Sequence, residues 1–124
     1  MTAAEVGEAI RAWCLAQPEV TEEFPWGERV MKVKGKVFVF MGMPEEGGLG
    51  MSVKLPVSGD EALALPYAKR TGYNLGKHGW VSFRFAPADQ PDLALLLGYV
   101  EESWRAVAPK RLLKASARTV RPPG

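Results

Sequence analysis

Apolar residues recur at two different periods along this chain, and the changes of period divide it into elements. Val6, Ile10, Trp13 and Cys14 fall at helical spacing behind Thr2-Ala3-Ala4-Glu5. That tetrapeptide reads as a capping box, in which each end side chain accepts from the other's backbone N–H. A first helix is therefore expected to end near Gln17, ahead of Pro18. Residues 18–27 hold two prolines, three glutamates and two aromatics with neither period, which predicts an ordered connection. Residues 29–34 and 37–41 alternate about Gly35 and Lys36, the pattern of a hairpin with a type II′ turn. That register pairs Val33 with Phe38 and Met31 with Phe40, and turns Lys32 and Lys34 to the other sheet face.

Residues 42–50 are rich in glycine and predict a flexible connection, followed by a third strand over 51–55. Residues 58–67 predict a short helix capped by Ser58 and limited by Pro66. Beyond a loop at 72–79, residues 80–85 alternate again, with Val81, Phe83 and Phe85 on one face and Trp80, Ser82 and Arg84 on the other. Leu93, Leu96, Leu97, Val100, Trp104 and Val107 follow Pro91 at spacings of three and four and predict the main helix. Pro109 interrupts it, residues 110–117 add a turn or two, and 118–124 form a basic, frayed tail. The succession lacks the strand–helix alternation of a parallel doubly wound sheet. It predicts one α+β domain over residues 1–117, with an antiparallel sheet of about four to five strands and helices packed on one face.

Composition narrows the class. The 124 residues, 47% apolar and 24% charged, match an ordinary globular domain large enough for one core without disulfides. No apolar run reaches the roughly 18 residues of a membrane span. Glu5 and Glu8 stand where an export signal would carry basic residues, so a cytoplasmic protein without membrane contact is expected. Cys14 is the single cysteine, placed on the first helix as a buried, inert thiol. With one histidine, His78, it leaves no cysteine or histidine set for a metal, and no cofactor motif is present. The net charge of +2 is small but unevenly spread: six acids precede Arg29 against Arg11 alone, and six basic residues with no acid follow Ser103.

Candidate chemistry is sparse. The glycines of 42–50 lack the Lys-Ser or Lys-Thr of a phosphate-binding loop, so they read as a hairpin loop. Glu22 and Glu23, as neighbours, diverge and read as solvated charges rather than an acid–base pair. His78 has no GxSxG nucleophile to serve, and no catalytic residue is assigned. The more suggestive pattern is on the sheet face turned from the core: Lys32, Lys34, Ser52 or Lys54, an exposed Trp80, and Arg84, with Lys69, Arg70 and Lys77 flanking the loop into Trp80. Cations beside an exposed indole can hold phosphates and stack a base.

Several separated motifs, in order, resemble the MmcQ/YjbR family. They are Pro18-Glu19-Val20-Thr21-Glu22-Glu23-Phe24-Pro25-Trp26-Gly27, then Lys32-Val33-Lys34-Gly35-Lys36-Val37-Phe38, then Ser52-Val53-Lys54-Leu55. After these come Gly72-Tyr73-Asn74-Leu75-Gly76-Lys77-His78-Gly79-Trp80-Val81, and Glu102-Ser103-Trp104 with Lys110-Arg111-Leu112. Glu19 stands where the family often has glycine, and Trp104 where it usually has tyrosine. The resemblance implies a small α+β domain, frataxin-like in outline, and a DNA-binding label attached to paired hairpin wings. The contacts it implies are Lys32, Lys34, Lys36, Lys54, Tyr73, Asn74, Lys77, His78 and Trp80; strand alternation adds Arg84. The expected function is a non-enzymatic DNA-binding or regulatory module. Two alternatives stay open: a small-molecule or protein-binding module using residues 73–80, and an enzyme or accessory factor with His78 as base. A frataxin-like iron role is not expected, since Glu5 and Glu8 are too few for an acidic ridge.

Overall fold

The computed structural model describes residues 1–25, 28–72 and 74–119, the last five of these as backbone only. Tyr73, Trp26 and Gly27 of the motifs, and residues 120–124 of the expected tail, lie outside the described residues. Along the chain run α1 (Ala3–Leu15), β1 (Val20–Glu23), β2 (Arg29–Val33), β3 (Lys36–Gly42), β4 (Leu49–Lys54) and α2 (Gly59–Leu63). They are followed by β5 (Ala68–Arg70), a single 3-10 turn (Gly76–His78), β6 (Trp80–Phe85), α3 (Leu93–Val107) and α4 (Lys110–Thr119).

The six strands form one antiparallel sheet in the order β1-β2-β3-β4-β6-β5, one or two strands more than the alternation suggests. The capping box is present: Thr2 N donates to Glu5 Oε1 at 2.8 Å and Glu5 N to Thr2 Oγ1 at 3.2 Å. Helix α1 then buries Val6, Ile10 and Cys14 against the sheet, and burial raises the Cys14 thiol to about 12. Asp92 caps α3 through Leu95 N, and α3 buries Leu96, Tyr99, Val100 and Trp104. Facing these helices are Met31, Val33, Val39, Met41, Leu49, Met51, Val53, Val81, Phe83 and Phe85, so one sheet face is core. Phe83 stacks on Tyr99 at 5.5 Å between centroids. Each such fully buried large side chain contributes about 1.5–3 kcal/mol.

The first hairpin differs from its expected register. The turn residues are Lys34 and Gly35, both at positive φ (52° and 81°), the requirement of a type I′ turn rather than type II′. Val33 therefore pairs with Lys36 and Lys32 with Val37, and a bulge then moves Met31 opposite Val39. Phe38 is the extra residue of the bulge and goes into the core, fully buried. Lys34 tolerates its conformation because both its ends are tied to one residue. Its N–H donates to Glu19 O at 3.4 Å, and its Nζ pairs with the Glu19 carboxylate at 3.6 Å.

Two other sequence expectations change. Glu22 and Glu23 are not loop charges but alternate on β1, Glu22 toward Arg11 and Arg29 and Glu23 toward Lys32. Ser58 gives α2 no side-chain cap. Its place is taken from across the fold by Glu102 of α3, which accepts from Val57 N and Ser58 N at 2.9 Å each.

Candidate functional site

Strand register sorts the side chains of the uncovered face into rows. One row runs Thr21, Lys32 and Val37, and resumes at Lys54 and Trp80. The next runs Glu23, Val30, Phe40, Ser52, Ser82 and Lys69, and the last pairs Gly42, Gly50 and Arg84. Lys32, Lys54 and Arg84 thus share the face with Trp80, as alternation suggests. Lys34 does not, because it occupies the turn, and Lys36 pairs with Val33 at the opposite parity.

Trp80 is correctly placed by parity yet is not exposed. It is 8% accessible, and its ring tilts against Phe40 at 5.4 Å between centroids. An indole packed in this way offers no free plane on which a base could stack. Lys77 and His78 are exposed on the 3-10 turn ahead of β6, and Asn74 is exposed at φ 65°. Lys77 lines a cavity of about 250 Å³ beside α2 with Arg70, Asp60 and Trp80.

Charge divides the uncovered face in two. On the β1–β2 side Lys32 pairs with Glu23 at 3.0 Å, while nearby Lys34 and Arg111 both engage Glu19. On the core side of the same edge, Arg11 makes a two-pronged contact to Glu22 at 2.7 and 3.0 Å. Arg29 Nε lies 3.0 Å from the same carboxylate but off the N–H direction, an ion pair without a hydrogen bond. The Arg11 hydrogen bonds, with the charges of both arginines, hold the Glu22 carboxyl below its ordinary value against the opposing effect of burial. On the β4–β6–β5 side, Lys54, Lys69 and Arg84 have no ion-pair partner among the described residues.

Beside these cations the face is hollow. A groove of about 530 Å³ is lined by Phe40 and Met43 on one side and Lys69 and Arg84 on the other, with Pro44 over Gly50 between them and Gly42, Ser52 and Ser82 in its floor. Gly42 and Gly50 are register partners without side chains; the Pro44 ring lies against Gly50, and the space at Gly42 is open. Ser52 Oγ lies 2.7 Å from Ser82 Oγ, which lies 2.9 Å from Thr71 Oγ1, a chain of three hydroxyls across the seam between β4 and β6. None of residues 74–80 lines the groove. The sequence places Lys69 only beside the loop into Trp80, because a three-residue strand shows no alternation that would assign it to a sheet face, and Gly42 and Gly50 read as loop rather than as strand ends.

Several motif residues prove to serve the backbone. Ser103, fully buried, donates to Phe38 O at 2.6 Å and accepts from Lys54 N at 2.9 Å, bridging β3 and β4 where their ladder stops at Val39 and Val53. A Cβ on Gly76 would stand 2.8 Å from Thr71 O, so the 71–79 loop closes only around glycine. His78 makes no side-chain hydrogen bond among the described residues, and no group of three metal-ligating side chains occurs among them. No helix among them is long and apolar enough to cross a membrane.

No curated protein is significantly similar to the chain. Among solved structures it is similar to the crystal structure of a Deinococcus radiodurans protein with a DUF419 domain. The TM-score is 0.68 at 25% identity, over 94% of this chain and 88% of that one. The sequence model of the YjbR family matches residues 15–106, which hold every strand and nearly all of α3. The chain belongs to the YjbR family.

Proposed function

We propose that the protein is a non-enzymatic DNA-binding or regulatory module that meets the phosphate backbone with the cationic half of its uncovered sheet face. The observation that carries this reading is the charge division. Lys54, Lys69 and Arg84 lack ion-pair partners among the described residues, whereas Lys32 and Lys34 are already engaged by Glu23 and Glu19. A lysine held by a carboxylate gives up that contact to bind phosphate, and an unpaired one does not. With Trp80 packed against Phe40, contact is to phosphate rather than to stacked bases, which favours little sequence preference. The frataxin-like outline suggested by the sequence plays no part in this reading.

Fluorescence anisotropy of a labelled duplex, titrated at about 50 and 200 mM salt, tests it. Three phosphate contacts give a log–log salt slope of about −2.7. Lys54→Ala and Lys69→Ala are each expected to reduce the slope by about 1. Lys36→Ala, off the face, is expected to leave it unchanged. Absence of binding at the lower salt, or equal slopes in all these variants, would overturn the proposal.

A further inference from the structure

The groove between Phe40 and Lys69 has more structure than a charged surface needs. Its volume of about 530 Å³ lies within the range of small-ligand sites, roughly 300–1,000 Å³. Its two ends differ in chemistry. At the β5–β6 end, Lys69 and Arg84 flank the Ser82 hydroxyl. Three hydroxyls in a chain make two internal hydrogen bonds from three O–H donors, so one donor remains for a ligand. An anion accepting it would polarise the rest of the chain and strengthen it. At the other end stand the half-buried Phe40 ring and Met43, with Pro44 over Gly50 between them and Arg84. Phe40 lies two strands from Ser82, about 10 Å at the usual strand spacing. The one carboxylate in the lining, Glu28, precedes β2 and so lies at the far end from the cations, where it can accept from ring amino or hydroxyl groups.

We propose that this groove binds a small phosphate monoester carrying a flat heteroaromatic ring, of the size of a nucleoside monophosphate. The phosphate lies among Ser52, Ser82, Lys69 and Arg84, and the ring lies along Phe40. The site goes beyond the DNA reading because it depends on the hollow as well as on charge. The two readings share Lys69 and Arg84.

Gly42 separates them. Its Cβ position has no atom within 4 Å, and strand parity aims it to the groove side, so Gly42→Leu fills the hollow while leaving every cation in place. Adenosine monophosphate, adenosine and inorganic phosphate are titrated into the isotope-labelled full chain, with amide shifts as the readout. Adenosine monophosphate is expected to bind at least about tenfold more tightly than either fragment, with the largest shifts at residues 42, 52, 69, 82 and 84. Gly42→Leu is expected to weaken it by about tenfold or more and to leave duplex affinity unchanged. Ser52→Ala, which removes one end of the hydroxyl chain, serves as a second variant should the first fail to fold, with a loss of about fivefold or more. Equal affinity for the monophosphate and for phosphate alone, shifts centred elsewhere, or full affinity in the variants would overturn the groove. Loss of duplex binding with monophosphate binding intact would overturn only the DNA reading.

Discussion

Replacing Ser103 by alanine removes one oxygen and leaves two backbone groups without partners. Beyond Val39 and Val53 the antiparallel register would place Phe38 opposite Lys54, but the Ser103 hydroxyl stands in the ladder and relays Lys54 N–H to Phe38 O. Both groups lie under α3, and Ser103 itself has no accessible surface. An unmet buried donor or acceptor costs about 1–3 kcal/mol, so the two together set a ceiling of about 6 kcal/mol. Partial closure of the strands onto each other recovers some of this, and a loss of about 2–3 kcal/mol is expected. Unfolding entropy of roughly 2.1 cal/mol/K per residue over 124 residues gives about 0.26 kcal/mol/K, so Tm should fall by about 8–12 °C. Urea titration should show a lower midpoint at unchanged slope, and the Lys54 amide should lose hydrogen-exchange protection. Ser52→Ala, on the uncovered face, should cost less than about 1 kcal/mol. A Ser103→Ala variant within about 0.5 kcal/mol of the parent, with Lys54 still protected, would refute the relay.

Two further outcomes follow from other contacts. Glu22 has its carboxyl lowered by Arg11 and Arg29, so its contribution is fully present above the ordinary value of 4.5 and is lost as pH falls through the lowered value. Glu22→Gln should therefore destabilise at neutral pH, and the gap to the parent in urea titrations should narrow steadily below that value; a gap constant with pH would contradict the ion-pair account. Gly76→Ala forces a Cβ to 2.8 Å from Thr71 O and 2.9 Å from Arg70 Cβ, and should cost about 1–3 kcal/mol by thermal unfolding. An unchanged Tm would mean that the loop relaxes freely.

Helices α1 and α3 are legible in the sequence because their apolar spacing, and the Thr2–Glu5 cap of α1, are local; α3 starts later than Pro91 suggests, with Asp92 as its cap and Pro91 outside the helix. Strands β1 and β5 are not. Val20–Glu23 is half glutamate and is a strand only because Val33, Met31 and Val30 of β2 pair with it, while Ala68–Arg70 is too short to alternate. The first hairpin slips because Lys34 takes a conformation that lysine seldom adopts, held there by Glu19 fifteen positions earlier in the chain. Parity puts Trp80 on the uncovered face, but its burial depends on Phe40 two strands away, which no local pattern reports. The groove is illegible for the same reason, since its lining comes from four strands, the segment after β3 and Glu28 ahead of β2.

The groove straddles the join between two separately connected parts of the sheet. Strands β1 to β4 follow one another as hairpins, and β5 with β6 forms a second unit that pairs with the first, strand to strand, through the β4–β6 ladder. Phe40, Gly50 and Ser52 arrive with the first unit, and Lys69, Ser82 and Arg84 with the second. Neither unit alone presents a complete cavity, so any molecule seated there acts as a fastener that favours the assembled sheet by RT ln(1 + [L]/Kd). Occupancy and folding are thereby coupled, and the seam between the two units is the one that a bound guest would hold shut.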